Sequence, residues 1–429
     1  MDISRKKISN FTIKLQSQIK IPLWSIANEK MIYAAAVGET PEWGPRLRLL
    51  HRIMRIAYKI KISDFLIFSV GMYRTVSIWL VVKKKLFKSI KHMKYKRVFA
   101  GFGASSEDYL YDDYVKQSQD QSLRINWVTH EGLHELGCPS LMAILFVLVR
   151  NSFGYTTKLN YAIPEISCNA ESFLTVCAFN IGSYAFYRSY WKMVKSYGVA
   201  EVTFLVVDIP CFASIDENLK TIYLQHGLMA FSILIPMLKT IEVLTVQEED
   251  YLKRSLKNIK IVRKNKKAIT DHSKNNILMI LSLNVFQEER LSVCKPLLEW
   301  AVKNRFKIVV RPTKSVNEAE LTILRNRLPN ALLDDLTITL DKSFEKWRPK
   351  LVSAWTSTGL ATALDYGILP ISLYDPNIKE IWNNMIYPMR YKVLFWPRDK
   401  PIIDSSIQSE KTYYSQLETL RSYQDRYTD

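Results

Sequence analysis

Glycine and proline are sparse, 13 and 16 in a chain of 429 residues, which excludes fibrous and low-complexity classes. Cysteine is scarcer still. Its five positions (Cys138, Cys168, Cys177, Cys211, Cys294) are scattered, odd in number and free of any C-x-x-C. That pattern points to free thiols in a reducing compartment and away from a disulfide framework. The stretch MDISRKKISNFTIKLQ lacks the long apolar core and small-residue cleavage site of a signal peptide. Internal repeats and heptad runs are missing too. What is present, 48% apolar and 24% charged residues, is the composition of a globular chain long enough for two domains.

Acid is in deficit. Sixty Lys+Arg against 41 Asp+Glu leave a net charge of +19, a surplus that attracts nucleic acid, an anionic membrane surface, or a phosphorylated or acidic substrate. The charge and the ten Trp motivate a nucleic-acid-binding reading. Against it stand the missing zinc knuckle, RNP-like run and G-K-[ST] phosphate loop, so nucleic acid is not expected as a partner. The densest basic run, KKKLFKSIKHMKYKR at 83–97, holds seven Lys and one Arg and no acid. Just before it lies FLIFSVGMYRTVSIWLVV (65–82), apolar but broken by Arg74. Such a pair suits a helix with a solvated basic face, or attachment to an anionic leaflet. A true span is disfavoured, because a mid-segment Arg costs about 2.5–3.5 kcal/mol on insertion. The expected location is the cytoplasm, with 83–97 against the inner face of the membrane.

Along the chain, residues 1–96 read as a basic, mostly helical segment. RVFAGFG (97–103), LRINWVT (123–129), EVTFLVVDIP (201–210), TIYLQHG (221–227) and IEVLTVQ (241–247) read as short buried strands. Helical patterns at 140–150, 171–197 and EEDYLKRSLKN alternate with them, which predicts an α/β domain over 97–258 with a parallel sheet. The basic stretch 259–275 reads as a linker. A second alternating domain follows over 276–429, with strands at NILMILSLN (276–284), FKIVVRP (306–312), LTITL (336–340), KLVSAWTST (350–358) and ILPISLY (368–374). Two Rossmann-like domains facing a cleft are the plan of GT-B glycosyltransferases. Ligands in such sheets bind at the carboxyl ends of the strands, so each polar strand end becomes a candidate.

THEGLHE (129–135) matches H-E-x-x-H at His130, Glu131 and His134. A zinc hydrolase would place the two histidines one turn apart on a helix, with the glutamate activating the metal-bound water. Here the motif follows a strand pattern, and Gly132 and Gly137 each cost a helix about 1 kcal/mol. The metzincin extension would need a His where Ser140 stands. Read as a strand end, Glu131 with Gly132 puts a carboxylate at the mouth of a sheet, where it suits a general base or acid.

At this point the sequence resembles the GT-B sialyltransferase-like families of bacterial surface polysaccharides, with a link to Kdo-type transferases of capsule and lipopolysaccharide biosynthesis. The resemblance implies a transferase moving an acidic sugar from a CMP donor to a glycan or lipid-linked acceptor, with no metal or other cofactor. In those families a D/E-D/E-G triplet supplies the base, which maps to His130-Glu131-Gly132 and gives Glu131 that role. A His-Pro dipeptide and a Ser/Thr pair bind the CMP phosphate; here they map to Arg311-Pro312 and Thr356-Ser357-Thr358. Ser282, among the small polar residues closing 276–284, joins this donor group. Hydroxyls at a helix N-terminus and a guanidinium are both suited to phosphate. Two positions depart from the family: His130 replaces the first acid, and Arg311 replaces a histidine, so it cannot donate a proton at neutral pH. Asp208, in VVDIP, is a cap for the next turn or a second catalytic carboxylate. His226 sits in a Q-H-G like that of several capsule and teichoic-type polymer enzymes, and is a catalytic candidate or a hydrogen-bonded strand-end residue.

Overall fold

The computed structural model describes residues 3–86, 95–103, 107–117, 121–162, 170–225, 232–243, 246–263, 276–280, 288–312, 316–355, 357–373 and 393–397. The chain divides into two compact units, Met1–Val243 with Tyr251–Val262, and Leu244–Asp250 with Arg263–Asp429.

The chain opens with four helices, α1 (Ile3–Gln18), α2 (Glu29–Val37), α3 (Pro45–Lys59) and α4 (Ser63–Leu86). Local chemistry sets their ends. The Asn28 side chain accepts from the Met31 N–H at 3.0 Å to start α2, Gly38 closes it in the left-handed region, and Pro45 opens α3. Then follow β1 (Arg97–Gly101), α5 (Glu107–Gln117), β2 (Ser122–Asn126), α6 (Leu141–Ser152), α7 (Tyr155–Ala162) and α8 (Ala170–Ser196). The stretch ends with β3 (Glu201–Phe204), α9 (Ile209–Asp216), β4 (Lys220–Leu224), β5 (Thr240–Val243), α10 (Val246–Ser255) and β6 (Lys260–Arg263). The strands form one sheet in the order β2-β1-β3-β4-β5-β6, parallel from β2 through β5. β1 and β3 are buried along almost their whole length, as strands covered on both faces must be.

α8 is the spine of this unit, 27 residues long and buried on nearly every side. A helix apolar all round is a core helix, and α3, α4, α6, α7 and α9 all pack on it. α4 comes closest: a Cβ on Gly182 would lie 2.5 Å from the Gly71 carbonyl, so only glycine allows the approach. The N-terminal helices therefore belong to the first unit's core instead of forming a separate segment. Trp24 stacks on Tyr184 of α8 with ring centroids 4.1 Å apart, and burying two such rings ties the basic N-terminal segment to this core.

The second unit carries β7 (Asn276–Ile280), α11 (Glu288–Lys303), β8 (Lys307–Arg311), α12 (Glu318–Arg327), β9 (Leu332–Leu333) and α13 (Leu340–Trp347). β10 (Leu351–Ala354), α14 (Thr358–Asp365), β11 (Leu369–Ser372) and β12 (Leu394–Phe395) complete it. Its sheet is parallel in the order β12-β11-β10-β7-β8-β9. Read from β9, that is the 3-2-1-4-5-6 order of the Rossmann fold. The fold class is α/β, with two Rossmann-like units.

Two expectations change. LTITL is no strand: Asp335 takes the Thr337 N–H and hydroxyl at 2.9 and 2.6 Å, and the Thr339 hydroxyl caps α13 through the Lys342 N–H at 3.2 Å. Side chains that bond the local backbone in this way favour turns and caps over strands. The linker also starts later than 259, because β6 takes its first residues as the last strand of the first sheet; 264–275 lie outside the described residues.

Candidate active site

In open parallel sheets the ligand crevice forms where the strand order reverses, outside the carboxyl ends. In the first sheet that point lies between β1 and β3, and in the second between β7 and β10.

After β1 the chain runs Gly101-Phe102-Gly103, a glycine turn of the kind that cradles phosphate. Here the cradle is filled from within. The Glu107 carboxylate, buried at the start of α5, accepts the Phe102 and Gly103 N–H groups at 2.5 and 2.6 Å. Arg124 lies 3.4 Å from its other oxygen. An internal anion thus takes the donors that a nucleotide phosphate would need.

After β2 the Asn126 carboxamide accepts from the Val128 and Thr129 N–H groups, each at 3.0 Å, and reverses the chain. The Asn126 N–H then donates to the Glu131 carbonyl at 2.9 Å, closing an antiparallel bridge. Gly132 must be glycine: its φ is 75°, and a Cβ would sit 2.5 Å from the Arg124 carbonyl. A short 3-10 turn, Leu133–Leu136, follows. H-E-x-x-H therefore lies on a reverse turn, His130 is left-handed at φ 59°, and the two-histidine helical face of a zincin does not form.

The turn exposes the Glu131 side chain and half-buries His130. The Tyr187 hydroxyl, from α8, donates to the Trp127 carbonyl at 2.7 Å, and His130 Nδ1 lies 3.2 Å from the same oxygen. Since the phenol's one proton is committed, Nδ1 must be the donor, which leaves the Nε2 lone pair of a neutral imidazole open. Burial, then the positive charges of Lys85 and Arg74, hold His130 below its ordinary value. Burial also raises Asp208, against the Ile209 N–H bond at 2.6 Å and the attraction of Arg74. Asp208 caps α9, so its structural role is real, and its raised value leaves chemistry open to it. Arg74, whose guanidinium lies 4.1 Å from the Phe179 ring and bonds the Phe179 carbonyl at 2.9 Å, is the shared charge beside His130, Tyr187 and Asp208. The loops after β2 and β3, with α4 and α8, thus gather Arg74, His130, Tyr187 and Asp208. Arg74 and Tyr187 escaped the sequence reading. Arg74 had left a signal, a charge inside an apolar helix; Tyr187 had left none.

In the second unit Ser357 caps α14, its hydroxyl accepting the Gly359 N–H at 3.1 Å, and Thr358 is the first residue of that helix. They follow β10, at the reversal of strand order. Arg311 and Pro312 are both buried at the end of β8. Arg311 is engaged internally: its guanidinium bonds Asp334 at 2.6 Å, the Ser343 hydroxyl at 2.7 Å, and the Ile338 and Asp335 carbonyls at 2.7 and 3.1 Å. A fork so engaged holds β8, α13 and the β9–α13 loop together and is not presented to a phosphate. Thr356, Ser282 and His226 lie outside the described residues; Gln225, just before His226, is buried at the end of β4. Among the described residues, no group of three or more His, Cys, Asp and Glu side chains is arranged to hold a metal ion.

No family model and no curated protein matches the chain. Among solved structures it is similar to the lipopolysaccharide outer core galactosyltransferase WaaB, at 10% identity over 76% of this chain and 90% of that one, with a TM-score of 0.34. It is also similar to the UDP-GlcNAc 2-epimerase of Neisseria meningitidis, at 12% identity over 76% and 93% of the chains and a TM-score of 0.38, and to MurG of Acinetobacter baumannii, at 11% identity over 76% and 89% and a TM-score of 0.35.

Proposed function

We propose that the chain is a glycosyltransferase, with the nucleotide of a sugar donor bound by the second unit and the acceptor hydroxyl activated by the first. The observation that carries this reading is the division of labour between two Rossmann-like sheets. The first fills its own glycine cradle with Glu107 and groups tuned acid–base residues at its switch point. The second places Ser357 and the N-terminus of α14 at its switch point. In the reaction, the acceptor O–H gives its proton to His130 Nε2 and its oxygen bonds the anomeric carbon. The bond from that carbon to the phosphate oxygen breaks, and the departing phosphate keeps the electron pair. Glu131, exposed beside His130, orients the acceptor in this reading. The donor is an acidic sugar on CMP, a reading supported by the sequence resemblance and by the +19 charge.

The test is a thermal-shift panel of CMP, UDP and GDP followed by transfer assays. CMP is expected to raise the melting temperature most, and Ser357→Ala to weaken that shift. A response to UDP alone removes the CMP donor, and no response to any nucleotide removes the transferase. His130→Gln is expected to abolish transfer while leaving the nucleotide shift intact; full activity in that variant would return the base role to Glu131.

A further inference from the structure

The first unit turns an unusual face outward. α3, α4 and α6 all pack on α8, and α4 also touches both α3 and α6, so the three form a layer whose outer side points away from the core. α3 buries Met54 and Ala57 inward and is fixed there by His51 Nδ1, 3.2 Å from the Thr175 hydroxyl of α8. Away from that face run Leu49, Ile53, Ile56 and Ile60, at i, i+4, i+7 and i+11, with Leu49, Ile56 and Ile60 each about 60% exposed. One residue earlier, at the same spacing, run Arg48, Arg52, Arg55 and Lys59, all exposed. A 3.6-residue helix makes these two adjacent stripes, one apolar and one basic. α3 contains no acidic residue. On α6 the exposed residues repeat the spacing: Met142 (76%), Phe146 (68%) and Val149, with Phe153 just beyond the helix. Phe153 packs on Phe68 of α4 at 5.6 Å between centroids, so the apolar surface carries across the layer.

We infer that this layer is a docking surface for an anionic lipid bilayer, with α3 lying in the headgroup plane. The inference does not rest on the transferase reading. Exposed apolar surface of this extent is not left to water without a role. The charge pattern selects the occupant: Leu and Ile enter the acyl boundary while the neighbouring Arg stripe meets lipid phosphates. A second copy of the chain is a poorer fit, because a two-fold contact through α3 would set one basic stripe against the other. Of the polybasic run at 83–97, the membrane contact expected from sequence, Lys83, Lys84 and Lys85 form the last turn of α4, and 87–94 lie outside the described residues.

The experiment is vesicle co-sedimentation of the full chain, with phosphatidylcholine–phosphatidylglycerol vesicles against pure phosphatidylcholine. Binding to the anionic vesicles that weakens with salt is expected. Each basic side chain at the surface is worth about 1 kcal/mol, so Arg52→Ser with Arg55→Ser should lower partitioning about 30-fold. Ile53→Ser with Ile56→Ser should lower it at every salt concentration. All four sites are solvent-exposed, so melting temperatures should stay at the wild-type value; Leu49→Ser alone is the milder apolar probe if the Ile pair lowers them. Equal binding to both vesicle types overturns the inference. So does binding that survives both α3 pairs and disappears with Lys83→Ser, Lys84→Ser and Lys85→Ser. A concentration-dependent dimer, dissolved by the Ile pair and indifferent to vesicles, would assign the surface to self-association and overturn it as well.

Discussion

Replacing Arg311 separates a structural residue from a ligand-binding one. Its side chain is 10% exposed and that of Asp334 is fully buried, 2.6 Å away. Ser343 also donates to Asp334 at 2.6 Å, and the Trp347 indole N–H does so at 2.7 Å. Burial pushes the Asp334 carboxyl up, but the bonds from Ser343, Trp347 and Arg311 outweigh it and hold the group below its usual range. Arg311→Ala removes the cation bonded to Asp334 and leaves a buried charge without it, which costs about 3–5 kcal/mol. For a unit of this size each kcal/mol is worth about 2–4 °C, so the melting temperature should fall by about 6–20 °C. Arg311→Met with Asp334→Leu, which removes both charges, should cost much less than Arg311→Ala alone. The pH dependence has a definite sign. A depressed carboxyl contributes stability that is present above its unfolded value, about 3.9, and is lost as pH falls through the folded value. Wild type should therefore lose stability below about pH 4, and the double variant should lose less there. Calorimetry measures each quantity. An Arg311→Ala protein that melts with wild type yet no longer responds to nucleotide would refute the structural assignment and return Arg311 to the donor site.

Gly182→Ala, with a Cβ 2.5 Å from the Gly71 carbonyl, should force α4 off α8 and cost about 1–3 kcal/mol; an unchanged denaturant midpoint would show that the helices have slack. His130 and His51 are both held below 6.5, each chiefly by burial. Both therefore favour the folded state above that value and oppose it as pH falls through it, so chemical denaturation should show stability rising from pH 5 to pH 7, with a shallower slope in His51→Gln/His130→Gln. If His130 is the base, the acid limb of the transfer rate should lie below the ordinary histidine value, and a rate already failing at pH 7 would speak against it.

The strands were legible because a parallel sheet covered on both faces leaves short, nearly unbroken apolar runs. VFAG, ILMI and IVV, in β1, β7 and β8, announce themselves whatever their neighbours are. LTITL misled for the converse reason: β-branched residues suit a strand, but Asp335 and Thr339 had closer backbone partners. Glycine at 132 was legible as a turn, and its necessity was not, since the Arg124 carbonyl that excludes a side chain approaches only in the folded chain. The candidate site divides in the same way. His130, Glu131, Asp208 and Ser357 could be marked as polar groups at strand ends. Which of them is tuned depends on α8 passing behind the turn and bringing Tyr187 to His130, 57 residues away in sequence.

By itself, then, the sequence determined the α/β class, the alternation of elements and the basic surplus, because periodicity and charge are properties of the chain before it folds. Only the tertiary structure decided that Arg311 is an internal tie, that Glu107 fills its own glycine cradle, and that the N-terminal helices join the first core. Those outcomes turn on which polar groups lose water together, and burial is settled by partners far apart in the chain.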